Sequence, residues 1–325
     1  MNQPAAAFKV DLRLWPRSFA DAEWQMPLPQ VYQDYLELYR MASKPQQGLA
    51  AARYGWLALG QERVWVQAFA PLIKQQSGQG TLLHLHGFYD HGASYPAWQQ
   101  LVLQQGWHYL TVDLPGHGLS SGERAGIGDF AQYQALLALL LEQLEQQQFP
   151  RPWLLSGFST GGAIALEHLL TGSQFDRVAL IAPLVRPVGW HSVGRWLWLV
   201  RLFVRRLPRK FRSNSHDAAF LDFVHHQDPL QSHQLPLSWV TALSRWIPQV
   251  ERAKPVAAAP LILQGDEDTT VDWRYNLSVL HRLLPEARVA LVEKGAHQLL
   301  NEALPQRAQV LDCLERWLVD SQPDR

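Results

Sequence analysis

Ser159 stands in Gly157-Phe158-Ser159-Thr160-Gly161, directly after the apolar run Trp153-Leu154-Leu155 and directly before the helical-looking Gly162-Ala163-Ile164-Ala165-Leu166. A G-x-S-x-G pentapeptide between a strand and a helix forms a sharp turn that exposes the serine hydroxyl. The turn strains the serine backbone, and the flanking glycines are needed because side chains there would collide. A hydroxyl is a weak nucleophile until a base takes its proton, and the base must be held by a third group. Both partners have candidates downstream. Residues 260–265 read as a short buried strand that leaves through Asp266-Glu267-Asp268-Thr269-Thr270-Val271-Asp272. Residues 288–292 read as another strand, leaving through Glu293-Lys294-Gly295-Ala296-His297. Carboxylate and imidazole thus both follow the C-terminal ends of strands, where open α/β sheets assemble their sites. The chemistry these residues suit is acyl transfer through a covalent serine intermediate, with His297 as base.

Acyl transfer also needs N–H groups aimed at the developing oxyanion. One is expected from Thr160, next to the nucleophile. The other is expected from the loop after an early strand, and the strand ending Leu85-His86-Gly87 assigns it to Phe88. These parts need a scaffold, and from Thr81 onward the chain alternates strand and helix. Strands are expected at 82–86, 109–113, 153–158 and 178–182, with helices near 130–146 and after Ser159. That alternation predicts an α/β fold with a mainly parallel, doubly wound sheet. Ahead of it come a helix over 31–40, strands at 54–59 and 64–69, and a polar turn at 75–80. The alternation breaks at Pro183 and resumes at Pro260. The residues between are rich in Trp, Arg and His and show no strand pattern, so they are expected to form a helical cap. The expected organisation is a helical extension over 1–50, a core over 51–183, an inserted cap over 184–254 and the rest of the core over 255–325.

Three segments carry a resemblance: His86-Gly87-Phe88-Tyr89-Asp90-His91, Asp113-Leu114-Pro115-Gly116-His117-Gly118-Leu119-Ser120, and Gly157-Phe158-Ser159-Thr160-Gly161-Gly162. Together they resemble the α/β-hydrolase superfamily, and within it the serine aminopeptidase/lysophospholipase/monoacylglycerol lipase family. Gly265 to Val271 is similar to that family's Gly-x-x-Asp-x-x-Val loop. The similarity selects Asp268 as the triad acid over Asp266 and Asp272. Gly295-Ala296-His297-Gln298-Leu299-Leu300-Asn301-Glu302 is similar to the family's histidine loop. The resemblance implies a cofactor-free serine hydrolase acting on carboxylic esters of lipid-like molecules, of the lysophospholipase or monoacylglycerol lipase type, and the Arg- and Trp-rich cap suits long acyl chains or phosphate-bearing lipids. An aminopeptidase or amidase and a non-catalytic binding protein are the alternatives. It also implies that the cap selects substrate, with Tyr89, Trp190 and Trp196 as candidate contacts. The chain departs from monoacylglycerol lipases in carrying Phe158-Ser159-Thr160 where they usually have His-Ser-Met. Its Phe88-Tyr89 pair is also bulkier than the usual first oxyanion loop.

The 325 residues suffice for one large domain with an insertion, and 29 basic against 29 acidic residues argue against bulk nucleic-acid binding. The single cysteine, Cys313, lies in a helical apolar pattern and reads as a core thiol. The first residues lack a basic stretch followed by an apolar one, and no run approaches the roughly 18 apolar residues of a bilayer span. A cytoplasmic protein without a leader is expected. Between Arg186 and Arg212 there are eight basic residues and no Asp or Glu, interleaved with Trp190, Trp196, Trp198 and Phe203. A helix over 192–207 would be either an ordinary amphipathic cap element or a lid touching anionic membrane at its periphery. Asp217, Asp222, Asp228 and Glu251 are the cap carboxylates available to an aminopeptidase for its substrate's α-ammonium. His84 and His86 read as structural and not as a metal pair, and His225, His226 and His233 as solvated surface. Asp113 reads as a turn stabiliser, and Asp90 and His91 as residues that shape the oxyanion loop. No phosphate-binding or dinucleotide motif is present, so no metal or cofactor is expected.

Overall fold

Gly60 and Gln61 separate two long strands, β1 (Leu49–Leu59) and β2 (Glu62–Pro71), which pair antiparallel. Gly60 supplies the positive φ, +61°, that a two-residue hairpin turn needs. In this computed structural model, which describes residues 18–72, 80–190 and 204–320, the hairpin forms one edge of an eight-stranded sheet. The other strands are β3 (Thr81–Leu85), β4 (His108–Val112), β5 (Trp153–Phe158), β6 (Arg177–Ile181), β9 (Leu261–Gly265) and β10 (Arg288–Val292). The spatial order is β1-β2-β4-β3-β5-β6-β9-β10. β2 runs antiparallel to β4, and every pairing from β4 to β10 is parallel. β3, β5, β6 and β9 are buried along their whole length. Their mostly apolar residues suit parallel strands covered on both faces, and the buried polar exceptions are Thr81, His84, Ser156, Arg177 and Gln264.

Successive side chains of a strand face opposite sides, which divides the core in two. Leu83 and Leu155 join a cluster with α3 (Ala131–Gln146) and α4 (Thr160–Thr171), through Leu137, Leu140 and Ile164. Leu82 and Leu154 join another with α1 (Gln30–Leu38), α2 (Pro96–Gln104) and α8 (Gln306–Val319), through Tyr35, Trp98 and Trp317. Each such fully buried large side chain contributes roughly 1.5–3 kcal/mol of transfer free energy. Helix α2 is absent from the sequence expectations. Its apolar positions are diluted by glutamines, and buried Gln99 accepts a hydrogen bond from Ala42 N.

Between β6 and β9 the chain leaves the sheet. It forms β7 (Arg206–Pro208), α5 (Ala218–Asp222), β8 (Gln234–Pro236) and α6 (Leu237–Glu251), and α7 (Trp273–Leu283) follows β9. The expectation that this stretch holds no strand is wrong, because β7 and β8 pair antiparallel, Leu207 opposite Leu235. A residue before proline is pushed out of the helical region, and both Leu207-Pro208 and Leu235-Pro236 meet that condition. For the same reason the helix expected over 192–207 does not extend to its end. Residues 192–203 of it lie outside the described residues.

Candidate active site

Ser159 sits between β5 and α4 with φ +51° and ψ −107°, a left-handed conformation that a serine adopts only under constraint. Its backbone is pinned on both sides. Ser159 N donates to Ile181 O (2.9 Å), and Leu184 N donates to Ser159 O (3.0 Å). The flanking glycines are obligatory on steric grounds. A Cβ at Gly157 would lie 2.2 Å from Gly161 O, and one at Gly161 would lie 2.1 Å from Leu85 O. The hydroxyl is thereby held at the positive end of α4.

The three distant loops named from the sequence meet here. His297 Nε2 lies 3.0 Å from Ser159 Oγ, and His297 Nδ1 lies 2.7 Å from Asp268 Oδ2. All three residues are buried. Asp268 Oδ1 accepts from Thr270 N (2.8 Å) and Val271 N (3.1 Å), while Gln264 Nε2 donates to Oδ2 (3.1 Å). Burial pushes the Asp268 carboxyl up, but the facing His297 and these backbone donors outweigh it and hold it below the ordinary carboxylate range. An ionised Asp268 only accepts, so His297 carries its proton on Nδ1 and presents Nε2 as acceptor to the Ser159 hydroxyl. The neighbouring acids have other partners. Asp266 accepts from Lys294 N, and Asp272 caps α7 by accepting from Tyr275 N. The histidine loop is fixed by buried Glu302, which accepts from Ala296 N (2.8 Å) and from His216.

The loop after β3 passes beside Ser159. Neither Phe88 N nor Thr160 N has a hydrogen-bond partner among the described residues. The next amide, Gly161 N, is already taken by His86 O. Tyr89 is left-handed at φ +74°, which turns the chain sharply after Phe88. Asp90 accepts from Tyr95 OH (2.6 Å) and Gln298 Nε2 (3.1 Å), and Tyr95 OH in turn accepts from Gly87 N. This ties the oxyanion-loop candidate to the histidine loop. Asp113 accepts from Gly92 N and Leu119 N, both at 2.7 Å, which is the turn-holding arrangement expected of it. His86 accepts from Leu114 N, and His84 pairs with Ser156.

A cavity of about 580 Å³ opens onto Ser159 and His297. Tyr89 and Trp190 line it, as expected, while Trp196 lies outside the described residues. Its apolar lining includes Trp239, whose ring stacks 3.9 Å from that of Phe88, together with Leu184, Leu235 and Val240. His225 also lines the cavity, against the expectation of a solvated surface, because Phe211 packs edge-on 4.4 Å from its ring. Sequence reasoning missed Trp239 and gave Arg209 no place of its own within the basic run. Arg209 belongs to the basic run but lies beyond the helix expected over 192–207, and its guanidinium packs over Tyr89 at 3.9 Å beside the cavity. The Leu-Pro step just before it, which starts a strand and not a helix, was the available signal. Of the four cap carboxylates, none lines the cavity. Asp217 caps α5, Asp222 pairs with His226, Glu251 pairs with Arg186, and Asp228 is buried against His91. A second cavity, of about 330 Å³, lies at the opposite end of β6 by Asp176 and Pro260, away from Ser159.

A family model described as serine aminopeptidase, S33, matches residues 76–303, well over half of the sequence. The chain belongs to this family. Monoglyceride lipase of Rattus norvegicus is 26% identical to this S33 member over 246 residues, 72% of this chain and 80% of the lipase. A 2-succinyl-6-hydroxy-2,4-cyclohexadiene-1-carboxylate synthase of Pectobacterium atrosepticum is 32% identical over 167 residues, 48% of this chain and 60% of that enzyme. Among solved structures, a soluble variant of monoglyceride lipase from Saccharomyces cerevisiae in complex with a substrate analog aligns with TM-score 0.69 and 16% identity. That alignment covers 81% of this chain and 94% of the lipase. The S33 chain is a serine hydrolase with the α/β-hydrolase fold.

Proposed function

We propose that the chain hydrolyses carboxylic esters of monoacylated, lipid-like molecules through an acyl-enzyme on Ser159. His297 takes the Ser159 proton as the hydroxyl attacks the ester carbonyl. Asp268 holds the imidazole tautomer and stabilises the imidazolium that forms. Phe88 N–H and Thr160 N–H receive the oxyanion. His297 then gives its proton to the leaving alcohol, and a water activated by the same imidazole releases the acid. The observation that carries this reading is the unbroken hydrogen-bonded line Asp268–His297–Ser159 opening into a largely apolar cavity.

The lipid-like substrate is supported by the monoglyceride lipase relatives, which the chain matches over most of both lengths, and by the aromatic and aliphatic lining. The synthase match spans less of either chain and does not favour a second reading. An aminopeptidase needs a carboxylate free to hold the α-ammonium of its substrate. Among the described residues Asp90 is the one acid bordering the cavity, and it is occupied by Tyr95 and Gln298. We take residues 184–254 as the substrate-selecting cap. Its rim exposes Leu207 and Val188 beside Arg205, Arg206 and Lys210, which suits peripheral contact with an anionic bilayer. No helix among the described residues is long and apolar enough to cross a membrane.

A panel of monoacylglycerols, short esters and aminoacyl amides tests the substrate class. Monoacylglycerols should give the highest kcat/KM, and aminoacyl amides turned over faster than any ester would reverse the assignment. Salt-sensitive sedimentation with anionic but not neutral vesicles is expected. Equal, negligible binding to both would remove the membrane contact.

A further inference from the structure

The eight-stranded sheet treats its two edges differently. An edge strand turns a row of backbone N–H and C=O groups outward, and proteins guard such rows with a covering segment, a proline, a lysine or a bulge. The β1 edge is covered. Phe19 N donates to Trp56 O (2.8 Å), and Gln25 and Ala52 exchange a pair of backbone hydrogen bonds (2.8 and 3.0 Å). β10 is the other edge, and no segment among the described residues pairs with its outer side. Arg288 N donates to Pro260 O (2.9 Å) and Val292 O accepts from Asp266 N (3.3 Å), so residues 288, 290 and 292 direct their backbone toward β9. The backbone groups of Val289 and Leu291 therefore point away from the sheet. Their side chains share one face and are 49% and 51% exposed, although both are large and apolar. Val289-Ala290-Leu291-Val292 holds no charge, proline or bulge.

An unguarded apolar edge is a template for another strand, and the strand that β10 fits is β10 of a second copy. Antiparallel neighbours that are identical are related by a two-fold axis perpendicular to the sheet, so residues opposite each other belong to the same face. With the axis at Ala290, Val289 lies opposite the partner's Leu291, and Leu291 opposite the partner's Val289. Both are residues whose backbone points outward, so each of these pairs exchanges both its hydrogen bonds. Ala290 meets the partner's Ala290 at the closely spaced, non-hydrogen-bonded position, where a small side chain fits. Val289 and Leu291 of the two copies then cover one another in a continuous apolar row. The charges at the strand ends agree with this register. Exposed Glu286 comes opposite the partner's Lys294, and exposed Glu293 lies beside the partner's Arg288. Moving the axis to Leu291 would instead set Arg288 opposite the partner's Lys294. We infer that the β10 edge is a homodimer interface, joining two sheets into one across a two-fold axis at Ala290. Because the β1 edges are covered, assembly stops at two copies.

The test is the molar mass of the full chain by sedimentation equilibrium, from about 1 to about 100 µM. Wild type should rise with concentration from the 37.0 kDa of one chain to twice that and no further. Leu291→Pro should abolish the rise and keep the wild-type circular dichroism spectrum, because the N–H it removes points away from β9. Leu291→Lys, which sets like charges diagonally across the axis, should weaken association at least about 10-fold. Glu286→Lys and Lys294→Glu leave β10 itself untouched. Each should weaken association about 5-fold, and the double variant should restore it. None of these residues lines the cavity, so the outcome does not depend on the reading of Ser159. A chain that stays monomeric throughout, as it would if its own residues covered the edge, overturns the inference. So does a dimer indifferent to Leu291→Pro and Leu291→Lys, a double swap no better than either single one, or growth beyond two copies.

Discussion

Asp228 comes from the segment between β6 and β9, yet its carboxylate is buried against the loop that follows β3. Replacing it tests how that segment is held over the site. The carboxylate accepts from Tyr39 OH (2.7 Å), Leu230 N (2.9 Å), Gln231 Nε2 (2.9 Å) and His91 Nε2 (3.3 Å), and both members of the His91 pair are almost wholly buried. Asp228→Ala leaves those donors without water or partner, a loss of about 3–5 kcal/mol for a broken buried pair. In a chain of this size that is a fall in Tm of about 4–7 °C by thermal unfolding. Asp228→Asn keeps the shape and one acceptor, and isolates the charge. Burial raises the Asp228 carboxyl, but His91 and the hydrogen bonds from His91, Tyr39 and Gln231 outweigh it and hold it at about 2, against an ordinary 3.8. A depressed carboxylate pKa stabilises above its unfolded value and ceases to do so as pH falls through its folded one. The charge is therefore worth about 2 kcal/mol at neutral pH, of which about 1 kcal/mol is gone at pH 3. His91, whose pKa the same carboxylate raises despite burial, gives the opposite limb. Its contribution is complete below its ordinary 6.5 and is lost as pH rises through the folded value. Urea titrations at pH 5 and pH 3 should show wild type lose its lead over Asp228→Asn by about 1 kcal/mol. A lead that does not change, or an Asp228→Ala protein melting within 2 °C of wild type, would refute the reasoning.

Asp268→Asn should lower kcat on a p-nitrophenyl ester by about 10³–10⁴-fold, because an amide cannot hold the required His297 tautomer. Asp266→Asn should change it little, and the reverse pattern would move the acid to the other loop position. Trp239→Ala removes a buried wall that stacks on Phe88. It should cost about 3–5 kcal/mol of stability in urea titrations. It should also lower kcat/KM for long-chain esters about 10-fold more than for acetyl esters, and an equal fall for both would take Trp239 out of the acyl site.

The site was legible where local backbone chemistry dictates position. Ser159 announces itself because only glycine fits at Gly157 and Gly161, and His297 and the acids because each follows the C-terminal end of a parallel strand. The choice among Asp266, Asp268 and Asp272 needed either a family resemblance or coordinates, since it turns on which carboxylate faces His297 and which bonds its own loop. The segment between β6 and β9 was far less legible. Pairing of Leu207 with Leu235, stacking of Trp239 on Phe88 and burial of Asp228 beside His91 all join residues far apart in sequence. A helical pattern sees none of these.

The nucleophile is the claim on which the rest depends, and covalent labelling reads it most directly. A fluorophosphonate probe should modify wild type at Ser159 alone, located by peptide mass spectrometry. Ser159→Ala should take up no probe and lose ester hydrolysis by about 10⁵–10⁶-fold while remaining folded. Label on another residue, or Ser159→Ala hydrolysing esters at the wild-type rate, would contradict the account.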